Sequence, residues 1–133
     1  MKYLLDTNIC IYLINRKPVQ VIARMIKIPA EDIGISAVTL AELEYGVEKS
    51  DHPDRNRVAL METLVPIQIL PFDHQAAREY GMIRAPLERK GTVIGAMDLM
   101  IAAHAKALGV ILVTNNEKEF KRVSGLMLEN WAA

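Results

Sequence analysis

The sequence predicts an α/β fold of three layers, in which a central and mainly parallel sheet of about four to five strands carries helices on both faces. Short apolar runs typical of buried strands alternate along the chain with longer stretches of helical periodicity. Strands that are joined by helices pair in parallel through right-handed crossovers. The chain has 133 residues, 51% of them hydrophobic, which predicts one sizeable core and a single domain over residues 1–133.

Each element follows from its periodicity and from the residues that bound it. Apolar runs predict strands at residues 3–5, 33–35, 67–70 and 110–113, with a weak edge strand at 127–128. Helical periodicity predicts helices at residues 9–15, 19–27, 38–49, 54–64, 73–90 and 97–108, with a short turn at 117–121. Pro18 can open the second helix and Gly109 ends the sixth, while Pro86 is expected to kink the long fifth helix or to end it early.

The charge balance and the single cysteine narrow the class of protein. Lys and Arg number 16 and Asp and Glu number 16, so the formal net charge is zero, which argues against a protein that coats nucleic acid with a basic surface. A nucleic-acid enzyme remains possible, because acidic metal ligands offset basic contacts in the count. Cys10 is the only cysteine, which rules out an internal disulfide, disfavours a zinc–thiolate site and predicts a cytoplasmic protein. No apolar stretch predicts a signal peptide or a membrane span.

Acidic and amide side chains follow strand ends or open helices at four places. They are Asp6 with Thr7 and Asn8, Glu42, Asp98, and the segment from Thr114 to Glu119 that includes Asn116. Because the carboxyl ends of parallel strands meet at one edge of a sheet, we expect these side chains to converge there. Carboxylates that meet repel one another, and the sequence offers no obvious buried Arg or Lys beside them. The pattern therefore predicts a hard divalent cation, Mg²⁺ or Mn²⁺, held by oxygen ligands.

Helix ends offer an alternative explanation for each of these residues taken singly. Asp6 and the pairs Thr39/Glu42 and Asn116/Glu119 could cap helices, and Asp98 could favour the positive end of a helix dipole. Asp98, however, opens a helix that is apolar almost all round. The helix dipole supplies only about 0.3–1 kcal/mol there, whereas burying a carboxylate costs several kcal/mol, so metal coordination is the more adequate compensation.

Periodicity distinguishes candidate ligands from surface and core residues. Glu44 and Glu48 lie on a stripe of their helix that is predicted to face solvent, whereas little bulk surrounds Glu42, which makes Glu42 the better ligand. His104 lies on the apolar stripe of its helix and is predicted to be a core histidine with one hydrogen bond rather than a general base. Cys10 is predicted to serve packing alone.

Four blocks of sequence resemble the PIN-domain toxins called VapC. They are LLDTN at residues 4–8, TLAELEYG at 39–46, GAMDLMIAAHA at 95–105 and LVTNNEKEF at 112–120, and the resemblance covers essentially the whole chain, including LENW at 128–131. It implies a PIN fold, a toxin ribonuclease that depends on Mg²⁺ or Mn²⁺, a homodimer, and a hetero-oligomer with a VapB-type antitoxin. It also implies that Asp6, Glu42 and Asp98 are the core acidic residues and metal ligands, with the Thr7 hydroxyl near the metal or the phosphate.

The chain departs from that family pattern in the loop after the fourth strand. Many members carry an Asp there, where this chain has Asn115 and Asn116. The amide of Asn116 can orient water or bind metal but brings no charge, and Glu119, one helical turn further on, is expected to supply the missing carboxylate. The subgroup with two asparagines resembles toxins that cut initiator tRNA in its anticodon loop, which makes that RNA the expected substrate.

These observations combine into a hypothesis of metal-dependent RNA hydrolysis. Asp6 and Asp98 would hold the main cation, with Glu42 bound directly or through water. Basic side chains near helix ends would hold the RNA, although a solvent-exposed helix face is an equal alternative for them. The candidates are Arg84, Arg89 and Lys90 on the long helix and Arg16 and Lys17 after the first helix.

Other functions are open or disfavoured on the same residues. A phosphatase could use Asp6 as nucleophile, but that chemistry usually has a second Asp two residues on, where this chain has Asn8. A catalytically weak PIN module that acts mainly by binding its antitoxin is the principal alternative. A nucleotide-binding Rossmann or P-loop protein is disfavoured, because neither glycine-rich motif occurs.

Overall fold

Five parallel strands form one sheet in the computed structural model, which describes residues 1–133. The strands are β1 (Tyr3–Leu5), β2 (Ile33–Ser36), β3 (Gln68–Leu70), β4 (Ile111–Val113) and β5 (Leu128–Glu129). Their spatial order is β3-β2-β1-β4-β5, and every neighbouring pair is parallel. The predicted parallel sheet is therefore confirmed, with β1 at its centre.

Seven helices connect the strands, close to the predicted positions. They are α1 (Thr7–Asn15), α2 (Val19–Met25), α3 (Ala37–Glu48), α4 (Pro53–Leu64), α5 (His74–Arg89), α6 (Ala96–Leu108) and α7 (Glu117–Phe120). A short 3₁₀ turn over Ala30–Asp32, which hydrophobic periodicity does not predict, leads into β2. None of these helices combines the length and the apolarity needed to cross a membrane.

The sheet divides the core into two layers, because successive side chains of a strand point to opposite faces. Leu4 and Leu112 belong to the core on the face covered mainly by α5 and α6. Leu5 and Val113, one residue further on, belong to the core on the face covered mainly by α1 to α4. All four side chains are fully buried. This alternation produces the three layers and brings the carboxyl ends of β1 and β4 together.

The long fifth helix does not end early at Pro86, so that part of the prediction is wrong. Pro86 lies in the last turn of α5, which continues to Arg89. A proline lacks only its own backbone N–H donor. Its carbonyl still accepts from the Lys90 N–H at 3.1 Å, which closes the last turn. Gly109 ends α6 as predicted, in the left-handed conformation with φ of 69°.

Candidate active site

Six polar side chains line one cavity of about 220 Å³. They are Asp6, Thr7, Asn8, Glu42, Asp98 and Asn116. None is hydrophobic and none is basic. The structure thus brings together the three predicted metal ligands and two further predicted site residues, Thr7 and Asn116.

The register of the two central strands positions Asp6. Leu5 pairs with Val113, and the Asp6 N–H donates to the Val113 carbonyl at 3.0 Å, so Asp6 and Thr114 leave the sheet side by side. Asp6 is only 4% exposed. One of its carboxylate oxygens also caps α1 by accepting from the Ile9 N–H at 2.9 Å. Capping and membership of the acidic site are therefore compatible at this residue, and the cap fixes the orientation of the carboxylate.

Glu42 reaches the cavity from the second turn of α3. The Thr7 hydroxyl donates to Glu42 Oε1 at 2.6 Å, which links the start of α1 to α3. The capping-box alternative for Glu42 is wrong, because α3 begins at Ala37 and its N-cap is Ser36. Thr39 lies inside the helix, fully buried, with its hydroxyl unpaired.

Asp98 lies in the first turn of α6 and is half-buried. No basic group pairs with it or with Asp6 or Glu42, since the five ion pairs of the structure all lie elsewhere. Within α6, only the positive end of the helix dipole stabilises the negative charge of Asp98.

Burial and mutual repulsion shift the acid–base behaviour of the site. Burial raises the pKa of Asp6 from the ordinary value of 3.8 to about 6, against the lowering effect of contacts with Thr114 and the Ile9 N–H. The negative charges of Asp98 and Glu42 add to this rise. Burial also raises the pKa of Asp98, with further contributions from Glu42 and Glu119. The site therefore holds negative charge that the protein itself does not neutralise.

Of the residues predicted in and after the loop that follows β4, only Asn116 lines the cavity. Asn116 lines the cavity and its N–H donates to the Thr114 hydroxyl at 2.9 Å, but its side chain makes no cap to α7. Asn115 turns away, and its amide donates to the Tyr12 hydroxyl at 2.8 Å. Glu119 is not among the lining residues and acts on the site through its charge on Asp98. The Asn116/Glu119 capping box is thus not formed.

Two residues of the site, Asn8 and Thr114, belong to the polar segments noted in the sequence, but no role was assigned to either of them there. Asn8 lines the cavity, and the fully buried Thr114 contacts Asp6. Asn8 follows the predicted ligand by two residues, and Thr114 follows β4 as Asp6 follows β1. The parallel register of β1 and β4 was the signal that could have identified Thr114.

The other side chains discussed above lie outside the site. His104 is buried and hydrogen-bonded to Ser36, as expected of a core histidine. Glu44 and Glu48 pair with Arg57 at the surface. Burial raises the pKa of the Cys10 thiol, which suits a packing role.

The donor set fits a hard divalent cation better than any organic cofactor. Carboxylate, hydroxyl and amide oxygens are the ligands that Mg²⁺ and Mn²⁺ prefer, and the cavity offers no thiol or imidazole. No group of three or more acidic, histidine or cysteine side chains is already spaced to hold a metal ion. Binding would therefore require the carboxylates to rotate toward a common centre, against the repulsion that contributes to the raised pKa values of Asp6 and Asp98.

Comparison with known proteins agrees with this geometry. The PIN-domain family profile matches residues 3–126, and the chain belongs to the PIN-domain family. Two of its relatives over almost the whole chain are named VapC. Ribonuclease VapC2 of Haemophilus influenzae is 44% identical over 131 residues, covering 98% of each chain. The tRNA(fMet)-specific endonuclease VapC of Shigella flexneri is 46% identical over 132 residues, covering 99% of each chain.

A solved structure extends the match to three dimensions. The crystal structure of VapBC2 from Rickettsia felis, bound to a DNA fragment from its promoter, contains a chain that matches with a TM-score of 0.92 at 45% identity. The match covers 98% of this chain and 99% of that chain. The predicted three-layer PIN fold is thereby confirmed.

Proposed function

We propose that this protein is the toxin of a type II toxin–antitoxin pair and acts as a Mg²⁺-dependent endoribonuclease. The observation that carries the proposal is the convergence of Asp6, Glu42 and Asp98 in one cavity without any basic partner. The ribonuclease names of its close relatives support the same reaction. Mn²⁺ is an expected substitute, because it accepts the same oxygen ligands.

Asp6, Asp98 and Glu42 would hold the cation, which when bound polarises the scissile phosphate and makes water a better nucleophile at neutral pH. The Thr7 hydroxyl holds Glu42 through the 2.6 Å hydrogen bond. The cap to Ile9 fixes Asp6 in orientation. The amides of Asn8 and Asn116 offer N–H donors to phosphate oxygens at the cavity wall. Hydrolysis in this arrangement would leave a 3′-hydroxyl and a 5′-phosphate.

Initiator tRNA is the substrate that we propose, with cleavage in the anticodon loop. The relative from Shigella flexneri is named as an endonuclease specific for tRNA(fMet). This chain also carries the Asn115–Asn116 pair that characterises the subgroup it resembles.

A basic groove is our candidate for the contact with the RNA backbone. Lys90, Lys106 and Arg122 line it from the ends of α5 and α7 and from α6, and no acidic side chain lines it. Lys106 lies eight residues after Asp98, roughly 12 Å along the axis of α6. That length matches about three or four nucleotides of a helical strand. Arg84, an earlier candidate, instead bonds Glu88 and Tyr80.

Salt dependence of RNA binding tests the groove. Replacing Lys90, Lys106 and Arg122 by Gln should flatten the plot of log affinity against log salt by about 2 to 3, since each phosphate contact contributes about 0.7–0.9. A matched triple variant at Lys27, Lys49 and Arg55, three exposed cations elsewhere, should leave the slope unchanged. An equal slope in both variants would remove the groove from the proposal.

The relatives support a proposal for the protein partner. We propose that the chain binds a VapB-type antitoxin, because the Rickettsia felis structure is of a VapBC2 assembly, and that it forms homodimers in the cytoplasm. Light scattering of the chain alone and in mixture with a VapB-type antitoxin would measure both assemblies.

A cleavage assay with a chelator control tests the activity. Purified protein should cut initiator tRNA in Mg²⁺ but not in EDTA, elongator tRNAs should remain intact, and sequencing of the RNA ends should map one site. Asp6→Asn should abolish cutting. Asp51→Asn, at an exposed Asp, is the matched control and should cut normally.

Two outcomes would contradict the proposal. Cleavage that persists in EDTA, or in Asp6→Asn, would remove the metal site from the reaction. Tight antitoxin binding without cleavage of any RNA would favour the alternative of a catalytically weak binding module.

A further inference from the structure

A buried hydrogen bond joins the segment that carries Glu42 to the helix that carries Asp98. His104 Nδ1 and Ser36 Oγ lie 2.8 Å apart. His104 is 2% exposed and Ser36 is fully buried. No other side-chain hydrogen bond of the structure connects β2 or α3 with α6, so this pair is the one directional contact between the two acidic elements.

The pair stands at matched distances from the two carboxylates. Ser36 is the N-cap of α3, where its Oγ accepts from the Val38 N–H at 3.1 Å, and Glu42 follows six residues later. Asp98 precedes His104 by six residues on α6. Each carboxylate is thus roughly 9 Å along a helix from the same hydrogen bond. A shift of that bond would move both helices relative to each other.

The surroundings hold the imidazole in one place. The Phe72 ring packs edge-on against it, with centroids 5.6 Å apart. Burial lowers the pKa of His104, against a smaller raising effect of the Asp73 carboxylate, so the ring is neutral at neutral pH and keeps one donor and one acceptor. A neutral imidazole can pair with a serine hydroxyl in either tautomer.

We propose that the His104–Ser36 hydrogen bond sets the separation of Glu42 and Asp98. His104 and Ser36 are then positioning residues of the proposed cation site. The inference rests on the proposed function, because it concerns the same site. Two like charges push the α3 and α6 ends apart, and apolar packing alone is poorly directional. Hydrogen bonds made directly to metal ligands typically change metal affinity by about 10- to 100-fold when removed, and this bond acts one step further away, so the lower end of that range is expected.

Metal affinity and stability, measured together, separate positioning from packing. In Ser36→Ala and in His104→Leu, calorimetry should show Mn²⁺ affinity reduced by about tenfold, the lower end of the range for direct partners of metal ligands. His104→Asn, whose amide can replace the Nδ1 contact, should recover most of the affinity. RNA affinity in EDTA should not change in any of these variants.

The double variant Ser36→Ala/His104→Leu sharpens the test. Replacing both partners by apolar groups can leave stability almost unchanged, so its urea midpoint should exceed that of either single variant while Mn²⁺ affinity stays low. Ile83→Val, in the core beside α6, is the control for a loss of stability that does not involve the pair.

Three results would overturn the inference. Mn²⁺ affinity could return in the double variant along with stability, or it could fall as far in Ile83→Val as in Ser36→Ala at equal stability. Either result would reduce the pair to packing while leaving the cation site intact. A wild-type chain that binds no Mn²⁺ would instead remove the proposed cation site itself, and the positioning role with it.

Discussion

Helix α3 carries two kinds of carboxylate on different faces. Glu44 and Glu48 face Arg57, whose guanidinium pairs with both. Glu42 faces Asp6 and Asp98, and its carboxylate accepts a hydrogen bond only from the neutral Thr7 hydroxyl. The charges of Glu44 and Glu48 are thus neutralised within the chain, and we call this pair the complete group. The charges of Glu42, Asp6 and Asp98 have no cation, and we call these three the incomplete cluster. An incomplete charge cluster costs stability, so its presence points to a ligand that completes it.

Removing one charge from the incomplete cluster is expected to have its largest effect on activity. Asp98→Asn should reduce cleavage of RNA by more than about 100-fold, the upper range for residues that merely support a metal ligand. The same change removes repulsion, so the cation-free variant should unfold at an equal or higher temperature than the wild type. Cleavage rates and thermal unfolding in EDTA measure the two effects.

Glu48→Gln is the matched control, because it removes a carboxylate of α3 that already pairs with Arg57. The Glu48 side chain is 68% exposed, and its loss should change stability by less than about 0.5 kcal/mol and leave cleavage unchanged. If Asp98→Asn instead destabilised the cation-free protein while Glu48→Gln did not, Asp98 would serve the fold and the comparison between the two groups would fail.

The second effect is a pH dependence of stability that belongs to Asp6. Its folded pKa of about 6 lies above the ordinary 3.8. Between these values the folded chain binds a proton that the unfolded chain has released, so the stability of the cation-free protein falls as pH rises through this window. The total is on the order of 3 kcal/mol. Below pH 4 both states are protonated and the penalty disappears.

Urea unfolding in EDTA at pH 4.5 and pH 7 measures this dependence. Asp6→Asn should lose it, because an amide does not titrate, although the variant keeps an N-cap residue at α1. Mg²⁺ should restore the stability of the wild type at pH 7. Identical pH profiles for wild type and Asp6→Asn would assign the penalty to other groups.

The sequence was sufficient to predict the sheet and the meeting of the acids. Hydrophobic periodicity defined β1 and β4, and the parallel connection brought Asp6 and the loop after β4 to one edge. The pairing of Ser36 with His104 could not be predicted, because it joins residues far apart in the chain and depends on how α6 is rotated about its axis. Glu119 was expected to supply a carboxylate to the site but does not line the cavity, because periodicity alone could not show how its side chain is oriented.

The smallest of the expected effects tests the one hydrogen bond inside the incomplete cluster. Thr7→Val preserves the shape of the side chain and removes the donor to Glu42. A hydrogen bond to a charged group contributes about 1.5–3 kcal/mol when buried, and this one is partly buried. We therefore expect a loss of about tenfold in Mg²⁺ affinity. Thr7→Ser, which keeps the hydroxyl, should retain the affinity, because the donor and not the methyl group holds Glu42. Equal losses in both variants would mean that Thr7 acts through its methyl group, and Glu42 would then be positioned by packing like any other residue of α3.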